Sequence, residues 1–316
     1  MNIAVVFPGQ GSQSVGMLSE YTQDWPQIID TFKEASEVLG YDLWEIVSNG
    51  PVEKLNQTEI TQPAMLAADI AVMRVMAELC MLKPFVYAGH SLGEYAALVA
   101  AESITFFDAI RLVAERGRLM QNAVPEGEGA MAAILNLSDQ QVIEICTKAS
   151  AETGQVVEAV NFNSPGQVVI AGNTAAVDQA IELAKEEGAK RALKLPVSVP
   201  SHSSLMKPAA DQLAEVLKTV TIKTPKIQVI HNVDAKSHDD PDAIRDALTR
   251  QLYSPVLWAK SAEIIGSAAD DAIVECGPGK VLSGLSRRIT KDVPSFSLDT
   301  PANMQKFLDS MDASER

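Results

Sequence analysis

Pro84-Phe85-Val86-Tyr87-Ala88-Gly89-His90-Ser91-Leu92-Gly93-Glu94-Tyr95-Ala96-Ala97-Leu98 runs from a short apolar segment, through a serine between two glycines, into an alanine-rich segment. The first part has strand character and the last helical character, so the serine falls on a sharp strand-to-helix turn. Further short apolar runs, Asn2 to Phe7, Lys226 to His231, Asp271 to Cys276 and Ser295 to Leu298, read as strands. Between them, helical patterns cover Ala64 to Leu82, Leu92 to Ala101, Phe106 to Asn122, Leu205 to Val220, Asp242 to Leu252, Lys260 to Gly266 and Gly279 to Ile289. Strands alternating with helices predict an α/β fold with a mostly parallel sheet.

The middle of the chain has a different rhythm. After Pro125-Glu126-Gly127-Glu128-Gly129, a strand (Ala130 to Leu137) leads into a helix opened by Ser138-x-x-Gln141 and closed by Gly154. That opening matches a capping box, in which the two side chains satisfy backbone N–H groups at the helix start. Strands Val156 to Phe162 and Gln167 to Ala171 flank the turn Asn163-Ser164-Pro165-Gly166, followed by a helix Thr174 to Glu187 and a strand Ala192 to Val199. The order β-α-β-β-α-β is ferredoxin-like. It predicts a small domain, residues 127–196, inserted into a large domain made of residues 1–126 and 197–316.

The chain has 316 residues, 47% of them hydrophobic, and a formal net charge of −15. It lacks the long basic run that phosphate-backbone binding needs, which argues against a nucleic-acid partner. Cys80, Cys146 and Cys276 are widely spaced and form no C-x-x-C pair, so neither a disulfide framework nor a zinc ribbon is expected. The cysteine usage, with an N-terminus that lacks a basic, apolar leader, predicts a cytoplasmic protein. Asp69, Arg74 and Glu78 interrupt the longest apolar stretch, which is therefore read as a buried amphipathic helix and not as a membrane span.

Gly89-His90-Ser91-Leu92-Gly93 is a G-x-S-x-G sequence, common as a string but telling in its strand–turn–helix setting. Such a turn exposes the Ser91 hydroxyl, and the following N–H lies at the positive end of a helix, where it can hold an oxyanion. A serine nucleophile needs a base. Among four histidines, His90 adjoins the serine and points away, and His238 sits in a polar run read as solvated. His202 and His231 each follow an apolar strand and pattern alone divides them evenly, although the loop position of His202 suits a base better. Gly9-Gln10-Gly11 and Gly277-Pro278-Gly279-Lys280 lack the remaining residues of nucleotide-binding fingerprints, and no cluster has metal-ligand spacing, so no cofactor and no metal are expected. Arg116, on an otherwise apolar helix with Arg111 and Arg118, would select an anionic substrate if it faced the turn.

In combination, Phe7-Pro8-Gly9-Gln10-Gly11-Ser12-Gln13, Thr61-Gln62-Pro63-Ala64, the turn itself with Glu94-Tyr95, Arg116-Gly117, Asn161-Phe162-Asn163-Ser164-Pro165-Gly166-Gln167, Pro200-Ser201-His202, Gln251-Leu252-Tyr253-Ser254-Pro255-Val256 and Gly277-Pro278-Gly279 carry a resemblance. The chain resembles malonyl-CoA:acyl carrier protein transacylases along essentially its whole length, and more loosely the acyltransferase domains of fatty acid and polyketide synthases. The resemblance implies an α/β-hydrolase-like domain with a ferredoxin-like insert. It implies Ser91 as nucleophile, His202 as base, the Gln251 main-chain carbonyl as the group orienting that base, and the N–H groups of Gln10 and Leu92 as the oxyanion hole. Arg116 would pair with a malonyl carboxylate, and Asn163 and Gln167 would touch CoA or pantetheine.

The implied partners are malonyl-CoA, CoA and acyl carrier protein, with ping-pong transfer and no membrane. An acidic carrier protein would need a local basic patch on this acidic chain, for which Lys190, Arg191 and Lys194 or Arg287, Arg288 and Lys291 are the candidates. The rival readings are a polyketide-pathway acyltransferase or acyl hydrolase using the same serine, and a non-catalytic docking subunit.

Overall fold

The structure is a computed structural model that describes residues 2–314. Its elements follow in the order β1 (Ile3–Phe7), α1 (Pro26–Leu39), α2 (Leu43–Asn49), α3 (Val52–Leu55), α4 (Thr58–Leu79), β2 (Val86–Gly89), α5 (Gly93–Ala100) and α6 (Phe106–Gln121). The inserted segment contributes β3 (Gly129–Leu135), α7 (Asp139–Thr153), β4 (Val157–Ser164), β5 (Gln167–Asn173), α8 (Thr174–Glu186) and β6 (Arg191–Lys194). The chain then continues through α9 (Lys207–Thr219), β7 (Gln228–Ile230), α10 (Pro241–Gln251), α11 (Trp258–Ala268), β8 (Ala272–Glu275), α12 (Val281–Ile289), β9 (Ser295–Ser297) and α13 (Pro301–Ser314).

A five-stranded parallel sheet in the order β7-β2-β1-β8-β9 forms the centre of the large unit. Strand β1 is buried along its whole length, as a strand covered by helices on both faces must be. Its alternating side chains divide between two cores: Ile3, Val5 and Phe7 pack with α4 and α6, and Ala4 and Val6 pack with α11 and α12. The second sheet is antiparallel in the order β4-β5-β3-β6, and α7 and α8 cover it with a separate core around Ile134, Val142, Ile170 and Ile181. Along the chain these elements follow the β-α-β-β-α-β order that the sequence predicts. Both arms of the Ser138–Gln141 capping box form, and Gly154 closes α7 in the left-handed conformation.

Helix α4 departs from expectation. The sequence reading starts it at Ala64, but it begins at Thr58 and holds Pro63 inside, its opening turn tied by Thr61 Oγ1 to the Leu55 carbonyl at 2.5 Å. It is not amphipathic, because Asp69 is buried along with its apolar neighbours. The helix has the length and composition to cross a membrane, but 83% of its most apolar window is buried inside the fold, so here it is a core helix. The expected strand Ala192 to Val199 stops at Lys194. Pro196 has no N–H to give a ladder, and the chain leaves the sheet beside it. Helices α1 to α3 and α13 have no counterpart in the sequence reading.

Candidate active site

Ser91 sits between β2 and α5 with φ +52°, a left-handed conformation rare for a residue with a side chain. The two flanking glycines make that turn possible. A Cβ at Gly89 would lie 1.9 Å from the Gly93 carbonyl carbon, and one at Gly93 would lie 2.1 Å from the Phe7 carbonyl oxygen. Asn232, just beyond β7, pins the turn from the next strand: its Oδ1 accepts from the Ser91 N–H at 2.7 Å and its Nδ2 donates to the Gly89 carbonyl at 2.7 Å.

Ser91 Oγ lies 2.8 Å from His202 Nε2. His202 stands in the loop that returns from the inserted unit, also in a left-handed conformation (φ +65°), and is buried. Its Nδ1 donates to the Gln251 main-chain oxygen at 2.7 Å. Gln251 is the last residue of α10, so its carbonyl has no acceptor role within the helix and carries part of the negative end of the helix dipole. One helix end thus does the orienting work that a carboxylate does in a Ser-His-Asp arrangement. Burial, followed by the Arg116 charge, pushes the imidazole down to about 3, so it is neutral and able to accept a proton at ordinary pH.

Arg116 projects from α6 and is 1% exposed. Gly117 beside it lets α6 approach α4, since a Cβ there would come within 2.7 Å of the Thr58 carbonyl oxygen. The guanidinium donates to Gln62 Oε1 at 2.7 Å, Gln251 Oε1 at 2.9 Å and Ser91 Oγ at 3.2 Å, and lies over the Tyr95 ring at 5.3 Å. No carboxylate among the described residues pairs with it directly. Arg111 and Arg118 point outward, Arg118 to Glu115.

A cavity of about 430 Å³ opens onto this group, between the main-domain residues Gln10, Leu92 and Met120 and the inserted unit's Met131, Asn161 and Leu195. Gln10 and Leu92 line it, and neither backbone N–H has a hydrogen-bond partner among the described residues. The arrangement supplies a hydroxyl, a neutral base, two free N–H donors and a buried cation around one apolar-walled space. That set can form and discharge an acyl ester whose acyl group carries a negative charge.

The acyl transferase domain model matches residues 4–312. The chain belongs to the acyl transferase domain family. This acyltransferase is 56% identical over 309 residues to a malonyl CoA-acyl carrier protein transacylase of Haemophilus influenzae, covering 96% of this chain and 98% of the relative. It superposes on an acyl carrier protein S-malonyltransferase from Vibrio cholerae with TM-score 0.93 at 54% identity, over 97% of this chain and 100% of the other. A malonyl-transacylase solved in complex with a type II PKS acyl-carrier protein gives TM-score 0.95 at 50% identity, over 98% of this chain and 99% of the other.

Of the residues singled out in the sequence, the fold gathers Ser91, His202, Gln251, Arg116, Gln10 and Leu92 in one place. Asn163 is beside them but its Oδ1 is bonded to His90 Nε2 at 2.8 Å, so it holds the turn. Gln167 lies away from the cavity, its Oε1 accepting from Arg288 at 3.0 Å. His231 is excluded as the base: it is fully buried, with Nδ1 on Glu94 Oε1 at 2.7 Å. His238 is not solvated as expected but partly buried, 2.8 Å from Asp234. Lys190, Arg191, Arg287 and Arg288 are exposed, whereas Lys194 is paired with Asp178 at 2.6 Å. Among the described residues no group of His, Cys, Asp and Glu is placed to hold a metal ion. The sequence reading missed Gln62, Asn232 and Glu94, although Gln62 and Glu94 lie within motifs it quoted.

Proposed function

We propose that this acyltransferase moves a malonyl group from malonyl-CoA to the phosphopantetheine thiol of an acyl carrier protein, through an ester on Ser91, and so supplies extender units for fatty acid synthesis. The position of Arg116 carries the reading. A buried guanidinium 3.2 Å from the nucleophile, held by amide oxygens and a ring, waits for an anion that only the substrate brings. A malonyl group has a carboxylate at the right end of a three-carbon chain, and an acetyl group has none.

In the first half-reaction His202 Nε2 takes the Ser91 proton as Oγ attacks the thioester carbonyl. The oxyanion is received by the N–H groups of Gln10 and Leu92, where loss of one such donor typically costs about 10²–10³ in rate. Collapse breaks the carbon–sulfur bond, and CoA leaves with the proton from His202. In the second, His202 takes the proton of the carrier's thiol, sulfur attacks the ester, and Ser91 recovers its proton. One base serves both directions because thiol and hydroxyl exchange places on the same carbonyl. Ping-pong kinetics result.

The relative solved with a carrier protein supports a protein acceptor, and the exposed Arg287 and Arg288 on α12 offer it a cationic face. The two units, 1–126 with 197–316 and 127–196, form opposite walls of the cavity, so the pantetheine arm enters between them. The three free thiols fit a reducing cytoplasm. Transferase and hydrolase readings separate in a CoA-release assay. Without carrier protein a single equivalent of CoA per enzyme is expected, and with it sustained turnover. Equal turnover in both would make the chain a hydrolase.

A further inference from the structure

Arg116 has no direct counter-ion, yet a buried carboxylate lies one amide away. The Gln251 side chain accepts from Arg116 Nη2 through Oε1 at 2.9 Å and donates to Glu94 Oε2 through Nε2 at 2.9 Å. The same Nε2 reaches the Ser91 carbonyl at 3.0 Å, and both Gln251 and Glu94 are fully buried. Glu94 is held in turn by the Asn232 N–H at 2.9 Å and by His231 Nδ1 at 2.7 Å. We infer that Glu94 is a specificity-determining positioning residue: acting through the Gln251 amide, it is the remote counter-ion that holds Arg116 aimed at Ser91 with no carboxylate in direct contact.

The physical case has two parts. A buried cation needs a compensating charge, but a carboxylate in direct contact with Arg116 would occupy the edge that a substrate carboxylate must take. Placing the charge one amide further away supplies the field without occupying the edge. The amide also has a fixed sense, since Oε1 can serve only the cation and Nε2 only the acceptors. Glu94 therefore sets which way Gln251 faces, and Gln251 sets where Arg116 points. The same Gln251 orients His202 through its main-chain carbonyl, so side chain and main chain of one residue serve substrate choice and base orientation separately.

The inference rests on the proposed malonyl reading, and the test keeps the two apart by comparing malonyl and acetyl transfer in four proteins: the native chain, Glu94→Gln, Arg116→Ala and the double variant. Glu94→Gln preserves shape, and an imidazole that shifts its proton to Nε2 can accept from the new amide. Glu94→Gln is expected to raise KM for malonyl-CoA and to lower the malonyl-to-acetyl ratio of kcat/KM by about tenfold, a coupling ordinary for groups in one buried network. In the Arg116→Ala background it should leave that ratio unchanged. An equal loss for both acyl groups, or the same change with and without Arg116, overturns the inference and leaves the malonyl reading standing. If Arg116→Ala itself leaves the ratio unaltered, both fall. Gln251→Met provides a second route should Glu94→Gln fail to fold: it cuts the relay while keeping the main-chain carbonyl for His202, and is expected to lower the ratio in the same way. An unchanged ratio there also overturns the inference.

Discussion

Arg116 Nη2 lies 3.2 Å from Ser91 Oγ, on an oxygen that His202 Nε2 also approaches at 2.8 Å. The hydroxyl thus stands between an imidazole and a buried cation, which in the proposed reaction are its base and the group that reads the substrate. Removing the guanidinium should cost malonyl transfer the pairing of a desolvated carboxylate, roughly 2–5 kcal/mol, or about 30- to 5,000-fold in kcat/KM. Acetyl transfer, which never used that pairing, should lose far less. A competition assay between malonyl-CoA and acetyl-CoA with Arg116→Ala measures the ratio, and an unchanged malonyl preference removes Arg116 from this role.

The same proximity fixes the pH dependence. A histidine base works only when neutral, and burial with the Arg116 charge holds His202 near 3, well below the ordinary 6.5. The acid limb of kcat/KM, which reports the free enzyme, should therefore be absent near pH 6.5. In Arg116→Ala one of the depressing charges is gone, and the limb should move upward for acetyl transfer. A native profile falling with an apparent pKa near 6.5 would contradict this assignment.

How much of this was legible in sequence depends on how local each signal is. Ser91 announces itself because glycines at positions 89 and 93 are demanded by atoms within a few residues or on the adjoining strand β1. The insert's order of elements reads directly from capping and turn residues such as Ser138 and Gly154. His202 and His231 could not be separated by pattern, since both follow apolar runs; only the fold shows one against Ser91 and the other against Glu94. Gln62 and Asn232 are polar residues buried by tertiary packing, with no local mark of their roles. The helices between Phe7 and Ala64 are not legible by alternation with strands, because no strand intervenes there.

Asp69 offers a test of stability. Both carboxyl oxygens lack a partner among the described residues, and burial raises the group well above its ordinary 3.8, with Glu275 adding to the effect. The fold therefore keeps a proton that the unfolded chain releases, so stability is greatest at low pH as far as this group is concerned and is lost as pH rises through the folded value. Glu275, raised to about 7 chiefly by burial, acts in the same direction. Unfolding free energies from urea titrations at pH 7.5 to 8.5, above the ordinary 6.5 at which His90 and His202 change charge in the unfolded chain, should fall with pH by no more than about 1.4 kcal/mol per unit for each group. Asp69→Asn should flatten the slope. An identical slope in the variant would show that Asp69 is ionised in the fold.

Docking can be tested on α12. Arg287 and Arg288 are exposed on a chain of net charge −15, and an acidic carrier approaching it needs such a local attraction. Reversing both to Glu should raise the carrier-protein KM by about tenfold and weaken its salt dependence. The burst of CoA release from malonyl-CoA should be unaffected. Unaltered carrier KM in the variant would place docking elsewhere, with Lys190 and Arg191 the next surface to reverse.

The most direct measurement is the intact mass of the protein after brief incubation with malonyl-CoA, for the native chain and for Ser91→Ala. The native chain should gain the mass of one malonyl group and lose it on addition of acyl carrier protein, while Ser91→Ala gains nothing. Absence of the adduct from the native chain, or its persistence in Ser91→Ala, would contradict acyl transfer through Ser91.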